Sequence, residues 1–482
     1  MLLIALLIPF CIGFIWFKLL SNNTPVKTAA YFLYLILGMG LGMGVCSYLY
    51  FICLWLFGTP LLGILLELIL VTGLILYRKK WTVYFTSIKT TSKNLRIVQL
   101  ICVIVFLIGF VNVFCNFLVV SLQSPHGQWD AVAVWNVKAR FLYMGGPNWK
   151  GVFSPLIPFT HPDYPLLLPG FIANCWTLMK TNATSAAIAV SAFFALGTAA
   201  VLFLSLSVFK GIFQGFIAGL LILSTPFFIS HGASQYADVT LGFFFLATFI
   251  CLTIADDAGT YSRFFFLTAG LFAGFAAWTK NEGILFLLAI LFSRVVMIIV
   301  KASKMNKKDL SYFVVGSLPV IILLLLYKHF LTPANDIVAG QHGHTLDKLL
   351  NFSRYKIIFS HFWKIGLSFG QWATKPHGWL LVFLLLFGFQ VKKNLQWGII
   401  CSAIAFALTF IGYFFIYVTT PFDLEWHLGS SLDRLLLQLF PSFLFLYFIV
   451  LKRLDTCLLA TIIKEKKVIA SAPVQKLVKK KR

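Results

Sequence analysis

The chain has 482 residues, of which 60% are hydrophobic and only 11% are charged. A soluble domain carries about 25% charged residues, so this composition excludes a soluble enzyme, a disordered chain and a small disulfide-rich scaffold. It indicates a polytopic membrane protein. The net charge of +24 comes from 39 basic and 15 acidic residues. We expect this charge to meet anionic membrane lipids and not nucleic acid, because Lys and Arg collect on cytoplasmic loops.

Apolar runs that are long enough, or nearly so, to cross a bilayer predict an all-α bundle of about 13 transmembrane helices. The runs are residues 2–20, 29–56, 60–77, 97–121, 184–207, 212–230, 239–254, 264–279, 284–300, 311–330, 378–391, 397–418 and 435–451. The first run has no charged leading segment and no small-residue cleavage site, which favours a retained helix. Residues 165–179 are apolar but short and proline-containing, which favours an interfacial or re-entrant segment.

The orientation follows from the loop charges. With residues 165–179 left out of the spans, one side of the membrane receives most of the basic residues, and the positive-inside rule makes that side cytoplasmic. We therefore predict a multi-pass protein of the cytoplasmic membrane. Its predicted regions are the N-terminal helices and a cytoplasmic loop (1–96), a core (97–330) with a long outward loop (123–181) bearing interfacial helices, a second outward loop (331–377), C-terminal helices (378–451) and a basic tail (452–482).

The 15 carboxylates are the scarce signal, because a charge near the hydrocarbon usually has a partner or a function. Most of them fall on the outward side. The 9 cysteines include no C-x-x-C pair, which argues against a disulfide framework or a zinc site. We predict neither a metal nor a cofactor.

Two outward features follow the fourth span. Asp130 lies in SPHGQWDAVAVWNVKARFL, whose spacing predicts an interfacial amphipathic helix. Its carboxylate could cap this helix or, being partly dehydrated at an apolar helix end, serve as a general base. The second feature is HPDYPLLLP, where prolines favour an extended loop that presents His161, Asp163 and Tyr164 for binding. A metal pair is the weaker interpretation of that loop.

Four further charged residues lie at outward helix ends. Asp238 opens a span in QYADVTLGFFF, and Lys280 and Glu282 occupy a turn between spans in AGFAAWTKNEGILFLL. Lys280 could pair with either acid, or it could face an anionic ligand. Arg434 heads the last span in SSLDRLLLQLFP. It could bind a phosphate at the membrane surface, or it could pair with Asp433.

Four motifs in this order carry a resemblance: WDAVAVWNVKAR, HPDYPLLLP, YADVTLGFF and GLFAGFAAWTKNEG. Over residues 97–450 the chain resembles the bacterial GT-C glycosyltransferases, membrane enzymes that use polyprenyl-phosphate sugars and include protein mannosyltransferase-like and aminoarabinose-transferase-like proteins. The resemblance implies a GT-C fold, with Asp130 as catalytic base and Asp238 as a second acidic residue. The chain departs from the pattern at Ala131, where many relatives have a second acid, and at residues 161–163, where aminoarabinose-transferase-like members have a lysine and two prolines.

The resulting hypothesis is an inverting sugar transfer from a polyprenyl-phosphate donor to a lipid, glycan or protein acceptor on the outer face of the membrane. Asp130 would take the acceptor proton, Lys280 and Arg434 would stabilise the leaving phosphate, and Asp238 would orient Lys280 or the acceptor. Other cations that could bind substrate are Lys138, Arg140 and His161. The alternative is a transporter or flippase of lipid-linked sugars. Transporters place binding groups on broken helices near the midplane.

Overall fold

The computed structural model describes residues 1–20, 26–76, 85–86, 93–257, 262–300, 306–335, 340, 345–372 and 376–454. This part of the chain is mainly helical, with one short parallel pair of strands, Val26–Lys27 beside Phe85–Thr86. The basic tail from residue 455 onward lies outside the described residues.

The α-helices in chain order are α1 (Leu2–Leu20), α2 (Thr28–Phe57), α3 (Leu61–Leu76), α4 (Lys93–Gln123), α5 (Asn136–Met144), α6 (Leu167–Met179), α7 (Thr184–Phe209), α8 (Ile212–Leu223), α9 (Pro226–Ala233), α10 (Ala237–Asp257), α11 (Ser262–Thr279), α12 (Asn281–Ile299), α13 (Lys307–Phe330), α14 (Thr345–Leu350), α15 (Phe352–Ser368), α16 (Pro376–Phe387), α17 (Gln396–Thr419) and α18 (Leu424–Val450). A π-helical turn, Ala131–Trp135, leads into α5, and two 3-10 turns, Gly146–Phe153 and Pro158–Thr160, follow it.

Within the described ranges, 9 helices are long and apolar enough to cross a membrane, or 10 if the bent pair α8 and α9 forms one span. The prediction of an all-α, multi-pass membrane protein is therefore confirmed. Each predicted apolar run overlaps a helix, but α3 and α16 have only 16 and 12 residues. Between α8 and α9 the chain bends by 62°. Hydropathy detects apolar sequence, whereas helix length and direction depend on local breaks such as the one before Pro226.

The segment left out of the predicted spans forms α6, a helix of 13 residues. Its first ten residues, Leu167–Trp176, are all buried, and it packs against α2 and α5. A helix this short would cover only about 20 Å at 1.5 Å per residue. It is thus short, as predicted, but it is enclosed by protein and does not lie exposed on a surface.

Helix α10 forms the centre of the bundle. Every residue from Ala237 to Ala255 is buried, and the helix packs against α7, α11 and α18. A helix that is apolar on all sides is stable where neighbouring helices or lipid cover every side, and here the neighbouring helices do so. Because Asp238 lies in the first turn of α10, this central position places its carboxylate in the middle of one end of the bundle.

Candidate active site

The side chain of Arg434 links two aspartates. Its Nε and Nη2 atoms each lie 3.1 Å from Oδ2 of Asp238, and Nη2 also donates to Oδ2 of Asp130. The Asp238 side chain is fully buried, whereas those of Asp130 and Arg434 are 19% and 20% exposed. The ring of Tyr236 lies 4.9 Å from the guanidinium carbon. Arg434 therefore joins a buried acid to an acid that solvent and ligands can reach.

Lys280 makes the second set of contacts. Its Nζ lies 2.9 Å from Oδ1 of Asp238 and 2.8 Å from Oε1 of Glu282. The amide of Gln438 donates to Oδ1 of Asp238 at 2.6 Å and accepts a hydrogen bond of 2.7 Å from the Tyr413 hydroxyl. Three carboxylates thus share two cations in one network, which leaves the cluster with an excess negative charge.

The protonation of Lys280 is set by these acids. Burial by itself lowers the pKa of Lys280, but Asp238 and Glu282 outweigh burial and raise the pKa above the usual lysine value. The ammonium therefore stays charged throughout the physiological range. The sequence left open whether Lys280 pairs with Asp238 or with Glu282, and in the structure it pairs with both.

The sequence left open whether Asp130 caps a helix and whether Arg434 pairs with Asp433. The Asp130 side chain makes no cap hydrogen bond with the helical turn that it precedes. Asp433 accepts a hydrogen bond from the backbone N–H of Arg434 at 2.7 Å, while the guanidinium is directed to Asp130 and Asp238. Five predicted site residues therefore meet at one end of the bundle. They are Asp130, Asp238, Lys280, Glu282 and Arg434.

Lys138, predicted to contact substrate, is instead fully buried beneath the loop that follows α5. Its Nζ donates to the backbone oxygens of His161 and Tyr164, at 2.6 and 3.2 Å. Burial lowers the pKa of Lys138 to about 7; Asp163 opposes this shift and Lys328 adds to it. In this structure the amine holds the loop in place and has no exposed surface to offer a substrate.

Asp163 is also buried and enclosed by protein groups. Its Oδ2 accepts from the side-chain amides of Asn281 and Asn335, both at 2.8 Å, and lies 3.3 Å from Nζ of Lys328. Burial acts to raise the pKa of Asp163, but Lys328 and the two amides outweigh it and hold the pKa below its usual value. We predicted that this carboxylate binds substrate. In the structure it instead binds side chains of the protein itself.

The same loop contacts the network through Asp163, which binds Asn281, and through Tyr164. Asn281 lies between Lys280 and Glu282 in the chain, so its bond to Asp163 fixes the turn that carries them. The ring of Tyr164 lies 5.8 Å from Nζ of Lys280. The loop that was predicted to bind substrate thus holds the turn that carries Lys280 and Glu282.

Two more of the predicted substrate-binding residues, His161 and Arg140, make local contacts. His161 stacks on the ring of Tyr164 with centroids 4.7 Å apart, and its backbone has a positive φ of 46°. Arg140 is exposed, with Nη2 3.3 Å from Nδ1 of His126. Within the described residues, no group of three or more His, Cys, Asp or Glu side chains could hold a metal ion.

Sequence reasoning missed several residues of the network. Gln438 and Tyr413 are polar groups within apolar helices, and Lys328 is a cation near the end of α13. The signal that could have found them is a hydrogen-bonding group inside a span, since such a group needs a partner there. Asn335, in the chain after α13, carried no such signal.

Comparisons with known proteins find no matching family model, no matching curated protein and no matching solved structure.

Proposed function

We propose that this protein is a GT-C-like glycosyltransferase of the cytoplasmic membrane, built on a bundle of about 13 spans. It would transfer a sugar from a polyprenyl-phosphate donor to a lipid, glycan or protein acceptor on the outer face. The observation that carries the proposal is the link made by Arg434 between the reachable Asp130 and the buried Asp238. This link holds a reachable carboxylate beside a guanidinium at one end of the bundle, an arrangement that would suit a base next to a phosphate-binding group.

The charge balance suggests how the donor would bind. Because the network already has more carboxylates than cations, a phosphate added to it would be repelled. A phosphate that replaced Asp130 on Arg434 would not be repelled in this way, since the planar guanidinium binds both phosphate and carboxylate groups. Asp238 would keep its own contacts with Arg434, as it is fully buried. Donor binding would thereby release the Asp130 carboxylate next to the sugar.

The chemical step then follows from these positions. Asp130 takes the proton of an acceptor hydroxyl, whose oxygen forms a bond to the anomeric carbon. The bond from that carbon to the phosphate oxygen breaks, and its electron pair leaves with the polyprenyl phosphate. Attack opposite the leaving group inverts the anomeric centre. Arg434 stabilises the charge that develops on the phosphate, and Lys280 keeps Asp238 ionised behind it.

The test uses purified full-length protein in lipid nanodiscs with radiolabelled polyprenyl-phosphate sugars and a cell-envelope extract that supplies the acceptor hydroxyl. We expect wild-type protein to release polyprenyl phosphate, and Asp130→Asn to abolish release while the protein remains folded. The matched control is Glu425→Gln, which removes an exposed acid near the start of α18. Near-wild-type release by Asp130→Asn would exclude Asp130 as the base.

A transporter of lipid-linked sugars is the second candidate, because α8 and α9 form a broken helix with a 62° bend. Broken helices bind substrates in many transporters, commonly as a related pair. Among the described helices this is the single bent pair. The nanodisc experiment separates the two functions if reconstitution is repeated in sealed vesicles, where movement of the intact donor across the bilayer without release of polyprenyl phosphate would identify a transporter.

A further inference from the structure

A basic cluster lies at the end of the bundle opposite Asp238. Helix α10 has 21 residues and so spans about 30 Å from the candidate active site to its far end. There Asp256 makes a two-point contact with Arg294, with both distances 2.9 Å, and the next residue, Asp257, lies 3.6 Å from Nζ of Lys392. Lys392 opens a group of cations that the network around Asp238 does not use.

Lys210 builds the frame of this cluster. Its side chain, almost fully buried in the turn between α7 and α8, donates to the backbone oxygens of Gln390 and Leu451 at 2.6 and 2.7 Å. In return, Nε of Arg453 donates to the backbone oxygen of Lys210 at 3.1 Å. A single lysine thereby ties together the α7–α8 turn, the chain after α16 and the chain after α18.

Further bonds make this frame rigid. Phe389 and Leu451 form an antiparallel bridge, and the N–H of Lys452 donates to the backbone oxygen of Gly388 at 3.0 Å. The side chain of Gln214 donates to the backbone oxygen of Lys452 at 2.8 Å. The cations carried by these segments are therefore held at fixed backbone positions.

Four cations project from the frame: Lys392, Lys393, Lys452 and Arg453, all exposed. Burial, together with the charges of Lys392 and Arg453, lowers the pKa of Lys210 to about 8. Lys392 and Arg453 therefore lie close enough to Lys210 to act on its charge. Like charges held together by a rigid backbone repel one another, and a bound anion would relieve that repulsion.

An apolar surface adjoins the cations. On α16 and just after it, Leu381, Leu385, Leu386 and Phe389 are exposed. Phe389 forms the bridge with Leu451, the residue before Lys452, so the apolar surface and the cations are adjacent. A free inorganic anion would use only the cations, whereas a phospholipid would use both surfaces.

We propose that this frame is a binding site for an anionic phospholipid, with the headgroup phosphate among Lys392, Lys393, Lys452 and Arg453 and the acyl chains along the exposed side of α16. Basic pockets between membrane helices bind anionic headgroups in this way. The site lies about 30 Å from Asp238 and does not depend on the proposed sugar transfer.

The test is native mass spectrometry of the full-length protein in detergent, titrated with phosphatidylglycerol or phosphatidylcholine. We expect one phosphatidylglycerol to bind wild-type protein at low lipid concentration. Lys393→Gln/Lys452→Gln should weaken this binding about thirtyfold, since each of the two cations near the surface contributes about 1 kcal/mol. The matched control is Lys307→Gln/Lys308→Gln, which removes two exposed charges from the start of α13, near the same end. This control should retain the lipid.

Equal loss in both double variants would overturn the site, because binding would then follow net charge alone. Retention in both would overturn it as well, because Lys393 and Lys452 would then contribute nothing to lipid binding. Displacement of phosphatidylglycerol by equimolar inorganic phosphate would overturn the assignment to a lipid. Each variant is checked for its wild-type melting temperature, and the single variant Lys393→Gln, compared with Lys307→Gln, gives the same discrimination if the double variant unfolds.

Discussion

Replacing Asp238 with Asn removes the central charge of the network without changing the size of the side chain. Both carboxylate oxygens accept hydrogen bonds from cations, Oδ1 from Lys280 and Oδ2 from Arg434. An asparagine amide has one oxygen and one NH2 group, so in either orientation its NH2 faces a charged donor. The variant therefore loses an ion pair and gains a contact between two donors.

The size of the loss follows from burial. Breaking a buried ion pair costs about 3–5 kcal/mol, whereas an exposed pair contributes about 1 kcal/mol or less. Because Lys280 keeps Glu282 and Arg434 keeps Asp130, we take the lower end for Asp238→Asn, about 3 kcal/mol. The Asp130 side chain is partly exposed, so Asp130→Asn should cost about 1 kcal/mol.

The assay is unfolding by titration with SDS in mixed micelles, followed by tryptophan fluorescence, which gives a free energy of unfolding for each variant. Glu425→Gln, at an exposed position, should stay within about 0.5 kcal/mol of wild type. Equal losses for Asp238→Asn and Asp130→Asn, or a larger loss for Asp130→Asn, would refute the reasoning that burial makes Asp238 the centre of the network.

Three further outcomes are expected. The pKa of Lys138 is lowered to about 7 in the folded state, so between that pH and about 10.4 the unfolded chain binds more protons and stability rises with pH; melting curves of Lys138→Met should lack this rise. Asp163 has a lowered pKa, so its stabilisation is present above about pH 3.9 and is lost as pH falls below it; Asp163→Asn should be less stable at pH 7 and show a flatter acid branch. Arg434→Lys should release polyprenyl phosphate at least about tenfold more slowly in the nanodisc assay, since one ammonium cannot make the two-sided contact with Asp130 and Asp238.

The apolar composition determined the class of the protein and most of its helices. A run of apolar residues can be stable in a membrane only as a helix, because the backbone groups must bond within the segment. The same logic drew attention to Asp130, Asp238, Lys280, Glu282 and Arg434, since charges are costly beside hydrocarbon. The bend after α8 was not foreseen, because mean apolarity carries no information on where a helix changes direction.

The tertiary structure alone decided which of the selected residues contact one another. Arg434 meets Asp130 across 304 positions of sequence and Asp238 across 196, whereas Lys138, next to this region in the chain, is directed into the loop behind it. A hydrogen bond forms only within about 3.2 Å, and distances of that size between remote segments depend on how the helices pack. The sequence could therefore select the charges, while packing separated the reachable network around Arg434 from the buried supports at Lys138 and Asp163.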